Sequence, residues 1–466
     1  MTDDVSGGTT SGTSTGRGDD RPNVLWVFMD DVNPWMSCYG DDTIETEHVD
    51  ALADEGVRFD RSYATAPVCT PSRSAVITGM YQTTIGAHNH YSSFETWRGV
   101  EMSEWDPNHL GVRTIPEMFR SAGYYTFNDG KNHYNFVDRD RMLYDRHGEG
   151  GFDPADPAWA GRRDRPFFGQ IQLSGGKAIF EDVPSHVDPA DVAVPPYYPD
   201  HPVYREAIAD HYDAILEMDR TLGEIRTGLR ADGLSENTVI WFFSDHGMML
   251  PRHKQFCYEG GIRVPTIVAG PGVPHGEVRG DLISGIDVGP TSLSLAGIDV
   301  PSTMQGRDAF DPAFHRDYVV AARDRCDYTI DRIRAVVTDR YKYIRNFMTD
   351  RPYLQPQYRD GREYMVVLKE LYESGELDDV QSRFVAEERP AEELYDLHED
   401  PHETNDLVHS TNREHQETLG RLRTILHRWV VETDDRGRFP ESDEALRAVL
   451  DRWGDDAVDP IYDRVR

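Results

Sequence analysis

Alternating strands and helices predict an α/β fold: a large, mostly parallel, doubly wound sheet flanked by helices, with a smaller C-terminal α+β domain. Three observations carry this expectation. Short, continuously apolar runs, NVLWVFMDD (23–31), PFFGQIQLS (166–174) and TVIWFFSDHG (238–247), have the pattern of strands buried on both faces. Segments of helical periodicity with start and stop signals lie between such runs. After about residue 320 the composition changes, and paired strands precede a closing amphipathic helix.

Taken in order, residues 1–20 are rich in Gly, Ser and Thr, carry neither an apolar stretch nor a twin arginine, and are expected to form a disordered tail. The first strand ends in Asp30 and Asp31. Thr46 is placed to cap a helix EHVDALADEG that stops at Gly56, and VRFDRSYAT then reads as a strand. TIPEMFRSAG combines a capping box (Thr114, Glu117) with a stop at Gly123, after which strand YYTFN runs into DGKNHY. Strand 166–174, the long helix YREAIADHYDAILEMDRTLGEIRTGL and strand 238–247 complete a first domain expected over 21–320. In the second, 321–466, IRAVVTDRYKYIRNF reads as paired strands, EELYDLHEDPHETNDL as strand and turn, and HQETLGRLRTILHRWVVET as the closing helix. No internal repeat is visible.

The charge balance excludes whole classes of partner. With 83 acidic against 49 basic residues the net charge is −34, a surface that repels nucleic acid and anionic membranes unless a local basic site is set into it. No run of about 20 apolar residues occurs, so no membrane-spanning helix is expected. Five of the basic residues are lysine, Lys131, Lys177, Lys254, Lys342 and Lys369, and the rest are arginine. This is a halophile-like composition, in which each remaining lysine is expected to have a specific task. Four cysteines, Cys38, Cys69, Cys257 and Cys326, lie far apart without a CxxC pair, which points to a reducing compartment and a cytoplasmic protein.

Asp30/Asp31, Lys131/His133, Ser174–Lys177 and Asp245/His246 all follow the C-terminal ends of expected strands, and in open α/β sheets those ends share the edge where ligand crevices form. Asp30, Asp31 and Asp245 offer hard oxygen ligands for a divalent cation, Ca2+ or Mg2+, with His246 as a further ligand. Lys131, Lys254 and Arg73 would make a local positive pocket suited to sulfate or phosphate, and His133 can pass a proton. Cys69 stands in APVCTPSRSAVITGM (66–80), where C-x-P-x-R has a chance expectation of about 0.02 in a chain of this composition. On that pentapeptide alone Cys69 also reads as a small buried hydrophobe or as an activated thiolate at a helix N-terminus.

The chain resembles the sulfatase family of the alkaline-phosphatase-like superfamily. RPNVLWVFMDD, CTPSRSAVITG, GKNH, PFFGQIQLS, SDHG and YEGGIRVP carry the resemblance, which continues through RAVVTDRYKYI and ELYDLHEDP to about residue 410. It implies that a dedicated maturation enzyme oxidises Cys69 to formylglycine, an aldehyde whose hydrate supplies the nucleophile. It further implies that Asp30, Asp31, Asp245 and His246 bind a divalent cation (Ca2+ or Mg2+) together with the modified Cys69. Arg73 would stabilise the diol, Lys131 and Lys254 would contact the sulfate, and His133 would act as base or acid beside the nucleophile. Two positions depart from the pattern: many members have asparagine at the place of His246, and many have a histidine touching the leaving group where this chain has Lys177. GKNHYNF and MYQTTIGAHNHYSS look most like N-sulfoglucosamine sulfohydrolases and point to a sulfated sugar. Lys177, His88, His90 and His253 are then the candidate substrate-binding residues, with His88 and His90 equally readable as ordinary loop residues.

The expected activity is therefore hydrolysis of a sulfate ester or sulfamate on a small sulfated substrate. The same cation and lysines also suit a phosphomonoester or phosphonate-ester hydrolase. In a third reading Cys69 is never oxidised and the protein binds anions without turnover. The alcohol side of the substrate falls to loops without motifs, such as 91–112 and 178–203.

Overall fold

The computed structural model describes residues 21–90, 112–135, 143–162, 164–180 and 183–466; the expected tail (1–20) and nearly all of loop 91–112 lie outside the described residues. Eight strands form the larger sheet: β1 (Asn23–Met29), β2 (Gly56–Tyr63), β3 (Tyr125–Asp129), β4 (Arg146–Gly148), β5 (Phe167–Leu173), β6 (Thr238–Ser244), β7 (Thr266–Ala269) and β8 (Glu277–Ser284), in the order β4-β3-β5-β1-β6-β7-β2-β8. All pairings are parallel except those of β7, which runs antiparallel to both β6 and β2. The mostly parallel, doubly wound sheet expected from the sequence is the one observed.

The central strand explains its own apolar run. Leu25, Val27 and Met29 enter the core on one face of the sheet, and Val24, Trp26 and Phe28 enter the core on the other, each at most 1% exposed. With both faces covered there is no side for polar residues, and each such side chain contributes about 1.5–3 kcal/mol by burial. Trp26 packs edge-on against Phe168 and Phe243, and its indole N–H donates to Ser292 Oγ at 3.0 Å.

The covering helices are α1 (Glu47–Glu55), α2 (Cys69–Thr78), α3 (Ile115–Ser121), α4 (Pro202–Ala231), the single turn α5 (Glu259–Ile262) and α6 (Val288–Leu295). α1 and α4 cover the Leu25 face, while α2, α3 and α6 cover the Trp26 face. The capping box of Thr114 and Glu117 is present on α3. Thr46, by contrast, does not cap α1. Its hydroxyl donates to Asp50 Oδ1 (3.0 Å), a charged acceptor one turn ahead, and the first amides of α1, those of His48 and Val49, are satisfied by Asp219 of α4 at 2.9 and 2.8 Å.

The second sheet is antiparallel, β12-β11-β10-β9, from β9 (Val319–Arg323), β10 (Ile333–Val337), β11 (Tyr341–Asn346) and β12 (Glu392–Asp396). Helices α7 (Glu363–Ser374), α8 (Asp379–Val385), α9 (Arg413–Glu432) and α10 (Asp443–Trp453) accompany it. Leu419, Leu422, Leu426 and Trp429, one stripe of α9, pack on Val320, Ala322 and Val336, whereas Val319, Ala321 and Ala335 face the core of the larger sheet.

Candidate active site

β1, β5 and β6 end level, with Met29 beside Leu173 and Ser244, so Asp30/Asp31, Ser174–Lys177 and Asp245/His246 emerge at one edge. β3 ends beside Ile171, and the loop after it brings Lys131 and His133 to the same place. Cys69 arrives as the first residue of α2.

Donor atoms of Asp30, Asp31, Cys69, Asp245 and His246 all lie within 4.8 Å of one another, and all five residues are buried. Carboxylates this close repel, and basic groups hold them together. Lys131 Nζ donates to both Asp30 oxygens (3.0 and 2.8 Å) and Lys177 Nζ to Asp30 Oδ2 (2.6 Å). Lys254 Nζ donates to both Asp31 oxygens (2.9 and 2.8 Å). Arg73 donates from Nε to Asp245 Oδ2 (2.8 Å), from Nη1 to Gln172 Oε1 (2.6 Å) and from Nη2 to Asp30 Oδ1 (3.1 Å), with its guanidinium over the Phe28 ring. Four basic side chains thus meet three carboxylates, and the site leans positive inside a strongly negative protein.

The electrostatics follow from burial and these partners. Burial opposes ionisation of Asp30, but Lys131 and Lys177 pull its carboxyl well below the usual range. Burial and the neighbouring Asp30 push Asp245 up to about 6. Burial likewise opposes a Cys69 thiolate, yet Lys131, Lys177, Lys254 and His246 bring its pKa well below that of an ordinary thiol. Against burial, Cys69 and Asp30 raise the pKa of Lys177, keeping it an ammonium. Burial and Lys131 press His133 well below the ordinary imidazole value, so it is neutral.

Glycines make the close approach possible. A Cβ on Gly175 (φ +57°) would lie 2.1 Å from the Asp30 carbonyl oxygen, and one on Gly176 would lie 2.2 Å from that of Asp31. The turn after β5 therefore lies directly on the backbone of the two aspartates, with the Gly176 N–H donating to the Asp30 carbonyl (2.8 Å), and Lys177 is delivered to Asp30. Asp31 itself adopts φ 62°, a left-handed conformation costing a non-glycine residue about 1–3 kcal/mol, and its N–H donates to Asp245 Oδ1 at 3.0 Å. Gly175→Ala is expected to lower stability by at least about 2 kcal/mol, seen as a fall in the denaturation midpoint, and to weaken metal binding along with it.

The candidate residues do not all meet. Asp30, Asp31, Cys69, Arg73, Lys131, Lys177, Asp245, His246 and Lys254 form the cluster. His133 joins it with His90, whose ring lies 5.6 Å from that of His133 and whose Nδ1 is 3.0 Å from Asp327 Oδ1; donor atoms of Cys69, His90 and His133 also fall within 4.8 Å of one another. His253 is elsewhere: its Nδ1 pairs with Asn33 Oδ1 (3.0 Å) and its Nε2 with the Tyr197 hydroxyl (2.9 Å), which makes it a buried bolt between loops, with burial and His211 pushing it down to about 3. His88 lies outside the cluster, among Arg334, Glu441 and Asp435, and burial and Arg334 lower it to about 4. Arg73 lies in the cluster with three of its nitrogens on Asp245, Asp30 and Gln172.

Two participants were not singled out from the sequence. Gln172 offered a signal, an amide inside an otherwise apolar buried strand, where an unpaired polar group would be costly. Its Nε2 donates to Asn128 Oδ1 (2.9 Å) while its Oε1 receives Arg73. Asp327, beyond the end of β9, belongs to no motif and is brought in by the second sheet.

Comparison with known proteins follows the same residues. The sulfatase family model matches residues 22–164 and 152–298, and that for the C-terminal part of N-sulphoglucosamine sulphohydrolase matches 245–389. An ulvan-active sulfatase of Formosa agariphila is 33% identical over 472 residues, covering 91% of this chain and 77% of that protein. Human N-sulphoglucosamine sulphohydrolase is 26% identical, covering 89% and 91%. Among solved structures, BT4656 in complex with its substrate D-glucosamine-2-N,6-O-disulfate superposes with a TM-score of 0.63 at 19% identity, covering 89% of this chain and 98% of that one. The phosphonate monoester hydrolase of Agrobacterium radiobacter gives 0.63 at 17% identity, covering 89% and 96%. Those two share the fold.

Proposed function

Because this chain belongs to the sulfatase family and is a sulfuric ester hydrolase, we propose that it removes sulfate from a sugar, using formylglycine made from Cys69 and a divalent cation. The observation that carries the reading is the placing of Cys69 Sγ among cations and acids together: 3.7 Å from Lys177 Nζ, 3.5 Å from Lys254 Nζ and 3.3 Å from His246 Nε2. Relatives named for ulvan and for N-sulphoglucosamine support a sugar as the alcohol side.

In this reading Sγ stands in for the hydroxyl of the hydrated aldehyde, which supplies the nucleophile toward sulfur. Asp30, Asp31, Asp245 and His246 fit a cation, being buried, mutually within reach and mostly hard oxygen donors; Ca2+ or Mg2+ bound there would polarise the sulfate oxygens. Lys177 and Lys254 flank the nucleophile and bind the sulfate dianion, meeting charge that grows as the ester bond breaks. His133, neutral and beside Cys69, is in place to accept a proton. Lys177 acts here as a fixed positive charge, ion-paired with Asp30 at 2.6 Å.

Turnover of an aryl sulfate against the matching aryl phosphate tests the activity; a large preference for phosphate would overturn the sulfatase reading. The mass of the peptide 62–73 from the native host tests the nucleophile, and unmodified thiol alone would refute it. Exhaustive chelation is expected to lower kcat/KM at least about 100-fold, with recovery on adding Ca2+ or Mg2+. Lys177→Ala is expected to raise KM for the sulfate ester about 10–100-fold through loss of a charged contact.

A further inference from the structure

A cavity of about 360 Å3 is lined from the second sheet and the C-terminal stretch, with His88 and Asn89 in its wall. The next residue, His90, has its ring beside His133 and Cys69. The two places share one short piece of chain: the His90 N–H donates to the Arg325 carbonyl (2.9 Å), and the Arg325 N–H donates to Asn89 Oδ1 (3.1 Å). The cavity therefore begins one residue from the nucleophile's surroundings.

Its outer wall holds two guanidinium–aromatic stacks, Arg332 over Phe347 (4.3 Å) and Arg438 over Phe439 (4.7 Å). Phe347 is 37% and Phe439 59% exposed, which leaves aromatic surface open at a polar cavity. Of the carboxylates around it, Asp331 is held by Arg389 and Asp350 by Arg351, while Asp324 and Glu441 each give one oxygen to an arginine (Arg334 and Arg325) and keep the other buried without a hydrogen-bond partner among the described residues. Arg332 differs. One nitrogen donates to the Arg438 carbonyl (3.0 Å), its Nε is buried without a hydrogen-bond partner, and it forms no ion pair among the described residues. His88 Nδ1, in the same wall, is likewise buried without a partner among the described residues.

A guanidinium in no close ion pair, with a nitrogen to spare, a second one stacked on an exposed ring and an unsatisfied imidazole nitrogen suit an anionic sugar unit: charge and hydrogen bonds for its carboxylate or sulfate, and an apolar face for its ring. We propose that this cavity is a second sugar subsite, which seats the unit adjoining the one whose sulfate lies at Cys69, with the anionic group on Arg332 and the ring against Phe439. The inference rests on the sugar-sulfatase reading above.

The test compares sulfated tetrasaccharides, prepared from ulvan and from heparin, with the sulfated monosaccharides derived from them. The full chain is expected to prefer a tetrasaccharide by at least about tenfold in kcat/KM. Arg332→Gln, at a half-buried position, and Phe439→Ala, at an exposed one, should each erase most of that preference through KM, with unchanged denaturation midpoints showing that both fold. Equal preference in the wild type and both variants overturns the subsite and leaves the sulfatase reading standing. Failure of the wild type to desulfate any of these sugars, while it still turns over an aryl sulfate, overturns the sugar reading and the subsite together.

Discussion

Cys69→Ala is expected to abolish turnover, with a fall in kcat/KM of at least about 10^4-fold, because in the proposed mechanism the residue at position 69 supplies the nucleophile that attacks sulfur. The fold should survive. The side chain is small, 2% exposed, and anchored by no strong hydrogen bond, its contacts being sulfur contacts of 3.3 to 4.0 Å. Cys69→Ser sharpens the test. It keeps a hydroxyl at nearly the same place among Lys177, Lys254 and His246, but it is not a substrate for conversion of a thiol to an aldehyde. Activity lost in both variants supports the aldehyde hydrate as nucleophile. Activity retained by serine would show that a simple alkoxide suffices, and the formylglycine reading would fall.

Arg73→Ala is expected to be the most destabilising single change in the site, about 3–5 kcal/mol by chemical denaturation, since it leaves buried Asp245 without its guanidinium and takes from Asp30 one of three basic partners. Arg73 is 1% exposed, so water cannot replace what it supplies. Arg73→Lys should recover part of the stability and little of the activity, because an ammonium cannot reach Asp245, Asp30 and Gln172 from one plane. A variant that stays as stable as the wild type yet loses activity would mean that Arg73 serves the substrate rather than the acids.

Much of this site was legible because it obeys strand-end geometry. Asp30, Asp31, Asp245 and His246 each close a continuously apolar strand, and a parallel sheet places such ends at one edge whatever their separation in sequence. Lysine scarcity was equally informative: three of the five lysines enter the cluster, Lys342 is buried against Glu259 and Glu403, and Lys369 alone sits at the surface, paired with Asp360. Histidines were less legible, because an imidazole in a polar loop has the same appearance whether it lies beside Cys69, as His90 does, or bolts two loops together, as His253 does. Arg73 was found but its partners were not, since the reach of a guanidinium across three strands depends on packing that no local pattern encodes. Asp327 and the cavity beside it come from the second sheet docking on the first, a tertiary event with no signature in residues 324–332.

The burial of α2 sets an order of events. Cys69, Pro71 and Arg73, the three defining letters of the pentapeptide, are all buried in the finished protein, with Arg73 locked to both acids. Under the proposed conversion of Cys69, an enzyme that reads those letters has to do so while the chain is still open, so oxidation and folding would compete in time. A chain that folds first would stay a thiol, and maturation enzyme added afterwards is not expected to rescue it. The specific activity of a preparation would then record a race between two rates at synthesis, independent of how stable the folded product is.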